Sequence, residues 1–282
     1  MTDTMPSTTT PSDEQVNIEA SENHPIEKWD DLDMDPLILR GIYAYGFENP
    51  SPIQKKGIKP MLVKRDVIAQ AQSGTGKTGC FTVGTLARID PSQSGVQAMI
   101  MSPTRELSIQ TKNVIDMLGA FIKGYKSQLL VGGTSTDATI KGLLEDKPQV
   151  VVGCPGRVYD MLRRKKLNPN TLRLIILDEA DEMLSSGFKE QIYNIFQFMP
   201  GDIQIGLFSA TLPHELISLT EKFMRNPVKV LVKAEQLTLE GITQYYVALD
   251  SDEHKYECLK DIFSSLSISQ CIIYCNSVRR VQ

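Results

Sequence analysis

The chain has 282 residues, 41% of them hydrophobic and 23% charged, which is the composition of an ordinary globular protein. No stretch approaches the roughly 20 consecutive apolar residues of a membrane-spanning helix, so we expect no membrane partner. The net charge is −4, but six acids and one base precede Trp29, so the remainder is nearly neutral and any nucleic-acid contact must come from individually placed groups.

The first 25 residues are rich in Thr, Ser, Pro and acids and poor in apolar residues, so residues 1–25 are predicted to be a disordered acidic tail. From Trp29 onward, short apolar runs alternate with amphipathic stretches of helical period. This alternation is typical of βαβ units, and it predicts an α/β lobe over residues 26–235 whose parallel sheet has helices on both faces. The strand-like runs are residues 66–71, 98–102, 128–131, 149–153, 172–178, 203–209 and 228–232. The helical stretches include residues 107–122, 156–164, 188–198 and 214–224.

A glycine-rich segment follows the first strand-like run and opens a helix, which is the context that confirms a phosphate-binding loop. Gly74 and Gly76 allow backbone N–H groups to point at phosphate oxygens. Lys77 supplies a charge for the β- and γ-phosphates of ATP, and Thr78 offers a hydroxyl to Mg²⁺. The alternative is a glycine-rich turn followed by Lys-Thr by chance. The predicted nucleotide-binding residues of this loop are Ala71, Gln72, Ser73, Gly74, Thr75, Gly76, Lys77 and Thr78.

An acidic element follows a later apolar run. Asp178 lies at the end of that run, where a carboxylate can hold Mg²⁺, largely through water. Glu179 is placed to orient or deprotonate the attacking water. The alternative is the solvated acidic start of a helix, which stays open for Asp181 and Glu182 taken singly. Together with Lys77, the pair Asp178-Glu179 predicts the catalytic residues of an ATP-hydrolysing protein.

Residues 236–282 are predicted to be a linker and the truncated start of a second α/β lobe. A strand is expected at residues 243–249, a helix at 253–266 and a strand at 270–275. Some 40 residues are near the lower limit for independent folding. We therefore expect that the native product is longer or that this chain is a fragment.

In chain order, the segments around these motifs resemble the DEAD-box RNA helicases. Residues 178–181 read Asp-Glu-Ala-Asp, the sequence that names the family, and the resemblance runs from about Trp29 to the last residue. It implies a RecA-like lobe followed by the start of a second one, with ATP and Mg²⁺ as cofactors. The other matching segments are residues 46–54 (the Q motif), 103–107 (Ia), 132–133 (the double glycine), 155–157 (Ib) and 209–211 (III).

The resemblance implies that the Q motif recognises adenine. The amide of Gln54 has one donor and one acceptor end, and adenine offers the complementary pair on one edge. Trp29 corresponds to the aromatic residue upstream of this motif, and its ring is implied to stack on a base. From the residues alone, Gln54 reads as a surface helix residue and Trp29 as a core aromatic.

The resemblance also implies sequence-independent binding of the RNA backbone, because phosphate contacts carry no sequence information. Glycines permit close approach, helix N-termini favour phosphate, and arginine can fork onto its oxygens. Cys154 replaces the usual Thr at the start of motif Ib, so we expect a backbone contact there rather than a side-chain contact. Residues 155–156 also fit an ordinary strand-to-helix turn. The implied RNA-binding residues are Thr104, Arg105, Gly132, Gly133, Gly156 and Arg157.

Ser209 and Thr211 follow a buried strand, and their hydroxyl groups are placed to bond Asp178 or Asp181. The resemblance implies that this contact couples the nucleotide state to RNA unwinding. A helix N-cap is the alternative for Thr211, and the two roles are compatible.

Within the family, residues 40–47, 184–188 and 238–242 resemble the translation-initiation and exon-junction members. This implies either a scaffold protein of the translation initiation complex or exon-junction proteins as partners. Location would be cytoplasmic, or nuclear for the exon-junction form, and five cysteines without Cys-x-x-Cys spacing fit either reducing compartment.

Three functions follow from the resemblance: an ATP-dependent RNA helicase, an RNA clamp of the exon-junction or RNA-processing type, and an inactive single lobe. In the family, the second lobe supplies arginine fingers, each worth about 10³–10⁵ in rate. We therefore expect this chain alone to bind nucleotide weakly and to hydrolyse it slowly.

Overall fold

A computed structural model describes residues 26–185, 187–231, 243 and 245–281. The chain divides into two compact units, residues 1–237 and 238–282, and each is described by itself. The predicted tail over residues 1–25 and the predicted lobe boundary at 235–236 lie outside the described residues, and both stay predictions.

The first unit is built on a seven-stranded, fully parallel sheet. All seven predicted strands are confirmed, with ends that differ by one or two residues. The order across the sheet is β3-β4-β2-β5-β6-β1-β7. The strands are Val67–Gln70 (β1), Ala98–Met101 (β2), Ser127–Leu130 (β3), Val150–Gly153 (β4), Leu174–Asp178 (β5), Gln204–Ser209 (β6) and Val228–Leu231 (β7).

Helices cover both faces of this sheet. Side chains alternate along each strand, so Ile176 joins the apolar cluster on one face with Phe81, and Leu177 joins the cluster on the other face with Val158. This confirms the predicted two-faced arrangement. The helices of the unit are Pro36–Ala44 (α1), Pro52–Leu62 (α2), Lys77–Leu86 (α3), Arg105–Leu118 (α4), Thr136–Glu145 (α5), Pro155–Arg163 (α6), Ala180–Ser185 (α7), Lys189–Phe196 (α8) and His214–Phe223 (α9).

The helix predicted over residues 107–122 is α4, which begins and ends earlier in the chain, at Arg105 and Leu118. Thr104 sets its start, because the Thr104 side chain accepts a hydrogen bond from the Leu107 N–H at 3.2 Å. The end at Leu118 is followed by Gly119, the poorest helix former after proline. None of the helices in the described ranges is long and apolar enough to cross a membrane.

Strand order gathers the predicted site at one edge of the sheet. Because all seven strands are parallel, their carboxyl ends share that edge. The phosphate loop follows β1, residues 209–211 begin at the last residue of β6, and Asp178 ends β5. These three strands are adjacent in the sheet. The ends of β2, β4 and β3 continue the same edge and lead into α4, α6 and α5.

The second unit contains two helices, His254–Ser265 (α10) and Val278–Val281 (α11), in its described part. The helix predicted at 253–266 is confirmed, but the strands predicted at 243–249 and 270–275 are wrong. The described residues of both segments form no strand. A strand exists only through backbone hydrogen bonds to a neighbour, and the side chains of Tyr245, Tyr246, Ile272 and Tyr274 are exposed instead.

Candidate functional site

The phosphate loop is tied to the sheet at its start. The Ala71 N–H donates to the Ser209 carbonyl oxygen at 3.0 Å, which continues the β1–β6 ladder into the loop. The Thr75 hydroxyl donates to the Gln72 carbonyl at 2.7 Å and closes the loop on itself. These two bonds hold the loop in place over the end of β1.

Two glycines give the loop its shape. Gly74 and Gly76 have φ angles of 81° and 100°, in the left-handed region that favours glycine. A Cβ on Gly76 would also lie 2.6 Å from Ser51 Oγ and 2.9 Å from Gln54 Nε2. Gly76 directly precedes α3, so the free N–H groups and the positive dipole end of this helix face the loop, as phosphate binding requires.

The phosphate-loop lysine is paired with the acidic element. Lys77 is only 5% exposed, and its Nζ lies 3.0 Å from Glu179 Oε1 and 3.2 Å from Oε2. Glu179 has a φ of 49°, a conformation that is uncommon outside glycine and that clusters at functional sites. The two predicted catalytic groups therefore lie in contact, and a phosphate that binds Lys77 competes with Glu179.

Asp178 lies beside this pair with its carboxyl group buried. Burial and, to a smaller extent, the negative charge of Glu179 raise the pKa of Asp178 to about 7 against the opposing charge of Lys77. The Glu179 N–H donates to Asp178 Oδ1 at 3.1 Å. A buried carboxyl whose ionised form is disfavoured is a group that a bound cation would stabilise.

The oxygen donors at this edge fit Mg²⁺ only in company with a nucleotide. Thr78 supplies a hydroxyl and Asp178 a carboxylate, and the described residues contain no group of three or more His, Cys, Asp or Glu side chains suited to a metal ion. Mg²⁺ characteristically takes one or two carboxylates, with phosphate oxygens and water completing its octahedron. The donor set therefore matches a metal that arrives with ATP.

The motif at the end of β6, residues 209–211, contacts Asp181. The Asp181 N–H donates to Ser209 Oγ at 3.3 Å, and the hydroxyl and N–H of Thr211 donate to Asp181 Oδ2 at 2.6 and 3.1 Å. Burial raises the pKa of Asp181, but the hydrogen bonds from Thr211 and Ser209 outweigh it and hold the pKa below its usual value. Thr211 is not a helix N-cap, because Pro213 takes that position before α9.

Gln54 is a buried link between α2 and the phosphate loop. It is 3% exposed, so its interpretation as a surface residue is wrong. Its Oε1 accepts from the Ser51 N–H at 2.8 Å, and its Nε2 donates to the Gly76 carbonyl at 3.1 Å. A primary amide keeps one more donor and one more lone pair, so pairing with adenine stays a prediction.

The ring of Trp29 has no exposed surface and lies stacked on Phe47, with centroids 6.1 Å apart. Its Nε1 has no hydrogen-bond partner in the described part of the chain. This burial matches the core-aromatic interpretation, and stacking of Trp29 on a base stays a prediction that requires the ring to be uncovered.

Phe47 is only half-buried and lies close to Gly79 and the amide of Gln54. Sequence reasoning included Phe47 in the Q motif but gave it no role.

The predicted RNA-binding residues lie along the other half of the same edge. Arg105 is exposed at the start of α4. Its Nη1 lies 3.1 Å from the position that a Cβ on Gly133 would take, so the Ia arginine and the double glycine are adjacent. Gly133 has a φ of 75°, and Gly132 beside it is exposed with open space around it.

Arg157 turns toward the protein. Its Nη1 donates to Thr139 Oγ1 at 3.0 Å and its Nη2 to the Thr134 carbonyl at 2.8 Å, so it braces the segment after the double glycine. A guanidinium has five donors, and those left over can still meet phosphate. Its predicted RNA contact is thus combined with a structural role that the sequence did not indicate.

Gly156 is exposed at the start of α6, next to a residue that sequence reasoning missed. The Oε1 of Gln191 lies 3.4 Å from the position of a Cβ on Gly156, and this buried oxygen has no hydrogen-bond partner among the described residues. Gln191 belongs to no motif, so only tertiary packing reveals it. Cys154 Sγ lies 3.5 Å from Ser108 Oγ, and the expected lack of a side-chain contact to RNA stays a prediction.

A phosphate loop, an acidic strand end and a parallel sheet of this order define a RecA-like nucleotide-binding lobe. Residues 51–219 match the family described as DEAD/DEAH box helicase. The chain belongs to this family, as its motifs predicted.

Among curated relatives, "ATP-dependent RNA helicase eIF4A" of Saccharomyces cerevisiae is 48% identical over 269 residues, which are 95% of this chain and 67% of the relative. The protein of that name from Candida albicans is 48% identical over 265 residues, 94% of this chain and 66% of the relative. The chain thus spans about two thirds of the length of the curated relatives that it matches.

Two solved structures show the same fold. A DEAD box protein from the hyperthermophile Methanococcus jannaschii has a TM-score of 0.72 and 34% identity, over 85% of this chain and 64% of that one. S. cerevisiae Dbp5 bound to RNA and ADP BeF3 has a TM-score of 0.73 and 33% identity, over 85% of this chain and 60% of that one.

Proposed function

We propose that the first unit of this chain is the ATP- and RNA-binding lobe of an ATP-dependent RNA helicase that acts in translation initiation. The observation that supports this most is the continuous edge from the phosphate loop through Asp178, Glu179 and Asp181 to the exposed Arg105 and double glycine. ATP chemistry and backbone binding of RNA would thus share one rigid sheet.

Nucleotide binding would begin with an exchange of partners. Lys77 leaves Glu179 for the β- and γ-phosphates, and the N–H groups around Gly74 and Gly76 surround the phosphate oxygens. Thr78 and Asp178 would hold Mg²⁺, which neutralises phosphate charge when bound. Glu179, released from its ion pair, is then available to orient or deprotonate the attacking water.

RNA would bind through its backbone along the ends of β2, β4 and β3. Three helices begin there, and their N-terminal N–H groups favour phosphate. The guanidinium of Arg105 can bind two oxygens of one phosphate, and the exposed glycines allow the RNA backbone to approach closely. The unpaired Gln191 oxygen beside Gly156 is buried, so it would accept a hydrogen bond from a ribose hydroxyl only if RNA binding uncovers it.

The contact between Asp181 and residues 209–211 would transmit the nucleotide state, because Asp181 lies three residues after Asp178 on the same segment. Binding of ATP and RNA would then bend one strand of an RNA duplex, and ATP hydrolysis would release the bound RNA. The 48% identity to relatives named eIF4A favours a scaffold protein of the translation initiation complex as partner and the cytoplasm as location.

Sequence-independent RNA binding can be tested with Arg105→Ala. Loss of one phosphate contact should weaken binding of U-rich and A-rich single strands equally and reduce the slope of log K against log salt by about 0.7. Fluorescence anisotropy of labelled RNA at several salt concentrations measures both.

The matched control for this experiment is Arg163→Ala. Arg163 is also exposed but lies at the far end of α6, where it pairs with Asp160. Equal losses in the two variants, or a loss confined to one RNA sequence, would contradict the proposed RNA surface.

A further inference from the structure

Ser102 directly follows β2 and is fully buried, at 0% exposure. Its N–H donates to the Gly153 carbonyl at 3.0 Å. Its hydroxyl oxygen, in contrast, has no hydrogen-bond partner in the described part of the chain. A buried hydroxyl group without a hydrogen-bond partner destabilises a protein, so a partner is expected for Ser102 Oγ.

The register of the sheet places this hydroxyl beside the acidic element. β2 and β5 pair in parallel with Ile100 opposite Ile176. The paired register ends with Met101 opposite Leu177, and one further step places Ser102 opposite Asp178. By the alternation of side chains, both then point to the face on which α3 packs, as Ile100 and Ile176 do. Neighbouring strands are about 4.8 Å apart, so one water molecule can bridge the hydroxyl and the carboxylate.

The buried hydroxyl groups of α3 on this face have partners. Thr82 Oγ1 donates to the Thr78 carbonyl at 2.6 Å, and Thr85 Oγ1 donates to the Phe81 carbonyl at 2.7 Å, both within α3. Ser102 differs from them because its proton is uncommitted among the described residues. Ser51 Oγ is also buried without a partner among the described residues, but it lies at the start of α2 beside Gly76. Ser102 is therefore the unpartnered hydroxyl that the β2–β5 register places next to Asp178.

We propose that Ser102 is a positioning residue for Asp178, to which its hydroxyl donates through one bridging water. This bond would fix the orientation in which the carboxylate holds Mg²⁺ with the bound nucleotide. The inference rests on the proposed function, which assigns Asp178 to Mg²⁺. Groups that orient a metal-binding carboxylate are worth about 10–100-fold in metal affinity.

The test is Ser102→Ala, with Thr85→Val as a matched loss of a buried hydroxyl. Binding of a fluorescent ATP analogue is followed while Mg²⁺ is titrated and, separately, in excess EDTA. Ser102→Ala should raise the half-saturating Mg²⁺ concentration about 10-fold and leave the affinity in EDTA unchanged. Thr85→Val should change neither, and thermal unfolding shows that both variants are folded.

An unchanged Mg²⁺ requirement in Ser102→Ala, or an equal rise in Thr85→Val, would overturn the inference and leave the proposed function intact. Loss of affinity in EDTA as well would mean a purely structural role and would overturn it too. If Mg²⁺ has no effect on nucleotide binding by the unmodified chain, the inference and the assignment of Asp178 to Mg²⁺ fail together.

Discussion

The Lys77→Ala variant is expected to bind ATP at least about 100-fold more weakly than the unmodified chain. A hydrogen bond to a charged group contributes about 1.5–3 kcal/mol, and Lys77 is predicted to make such bonds to two phosphates. At 1.4 kcal/mol per tenfold, two bonds correspond to at least a 100-fold loss. Glu179 would also face the phosphates without its partner, which adds repulsion. Titration of a fluorescent ATP analogue measures the loss.

Lys123→Ala is the control for this variant. Lys123 is exposed and lies between α4 and β3, at the opposite edge of the sheet. The Lys123→Ala substitution removes the same charge as Lys77→Ala and should leave the affinity for ATP unchanged. An affinity of Lys77→Ala within a factor of two of the unmodified chain would show that the glycine-rich segment is not the phosphate site.

Glu179→Gln is expected to have the opposite effect on binding and a large effect on rate. Removal of a general base slows proton transfer by about 10²–10⁴-fold. ATP binding should become tighter, because Lys77 no longer has to leave a carboxylate 3.0 Å away. Affinity is measured as for Lys77→Ala, and hydrolysis is measured with the chain in excess over ATP, so that slow turnover is resolved.

Glu182→Gln makes the same charge change one helical turn later and should alter neither quantity. Hydrolysis by Glu179→Gln at the rate of the unmodified chain would exclude Glu179 as the base. ATP binding as weak as in Lys77→Ala would show that the pair Lys77–Glu179 supports the nucleotide site rather than competing with the nucleotide.

The sheet was predictable because its strands are buried on both faces and therefore appear as apolar runs. Val150, Val151 and Val152 are all fully buried, and so are Ile175 and Ile176. The phosphate loop was predictable for a related reason. Its glycines, lysine and threonine are each required by the backbone geometry or by phosphate binding. Because these residues are consecutive, the loop can be recognised from the sequence alone.

Contacts between distant segments were not predictable in this way. The sequence left open whether Ser209 and Thr211 bond Asp178 or Asp181, and only the placement of β6 beside β5 decides it. Gln54 looked like a surface residue because its burial comes from the loop at Gly76, which is 22 residues later. The strands expected in the second unit failed for a similar reason, since an apolar run does not supply its own pairing neighbour.

The central claim, that one edge of the sheet binds both ATP and RNA, is tested most directly by backbone amide chemical shifts of the 282-residue chain. A magnesium–ATP analogue and a single-stranded RNA are titrated separately. The nucleotide should shift residues 71–78 and 178–179, and the RNA should shift residues 104–105, 132–133 and 156–157. The amides of Asp181 and Thr211 should respond to both. Shifts confined to the opposite edge, around Lys123 and Arg163, or no response to a saturating nucleotide, would contradict the account.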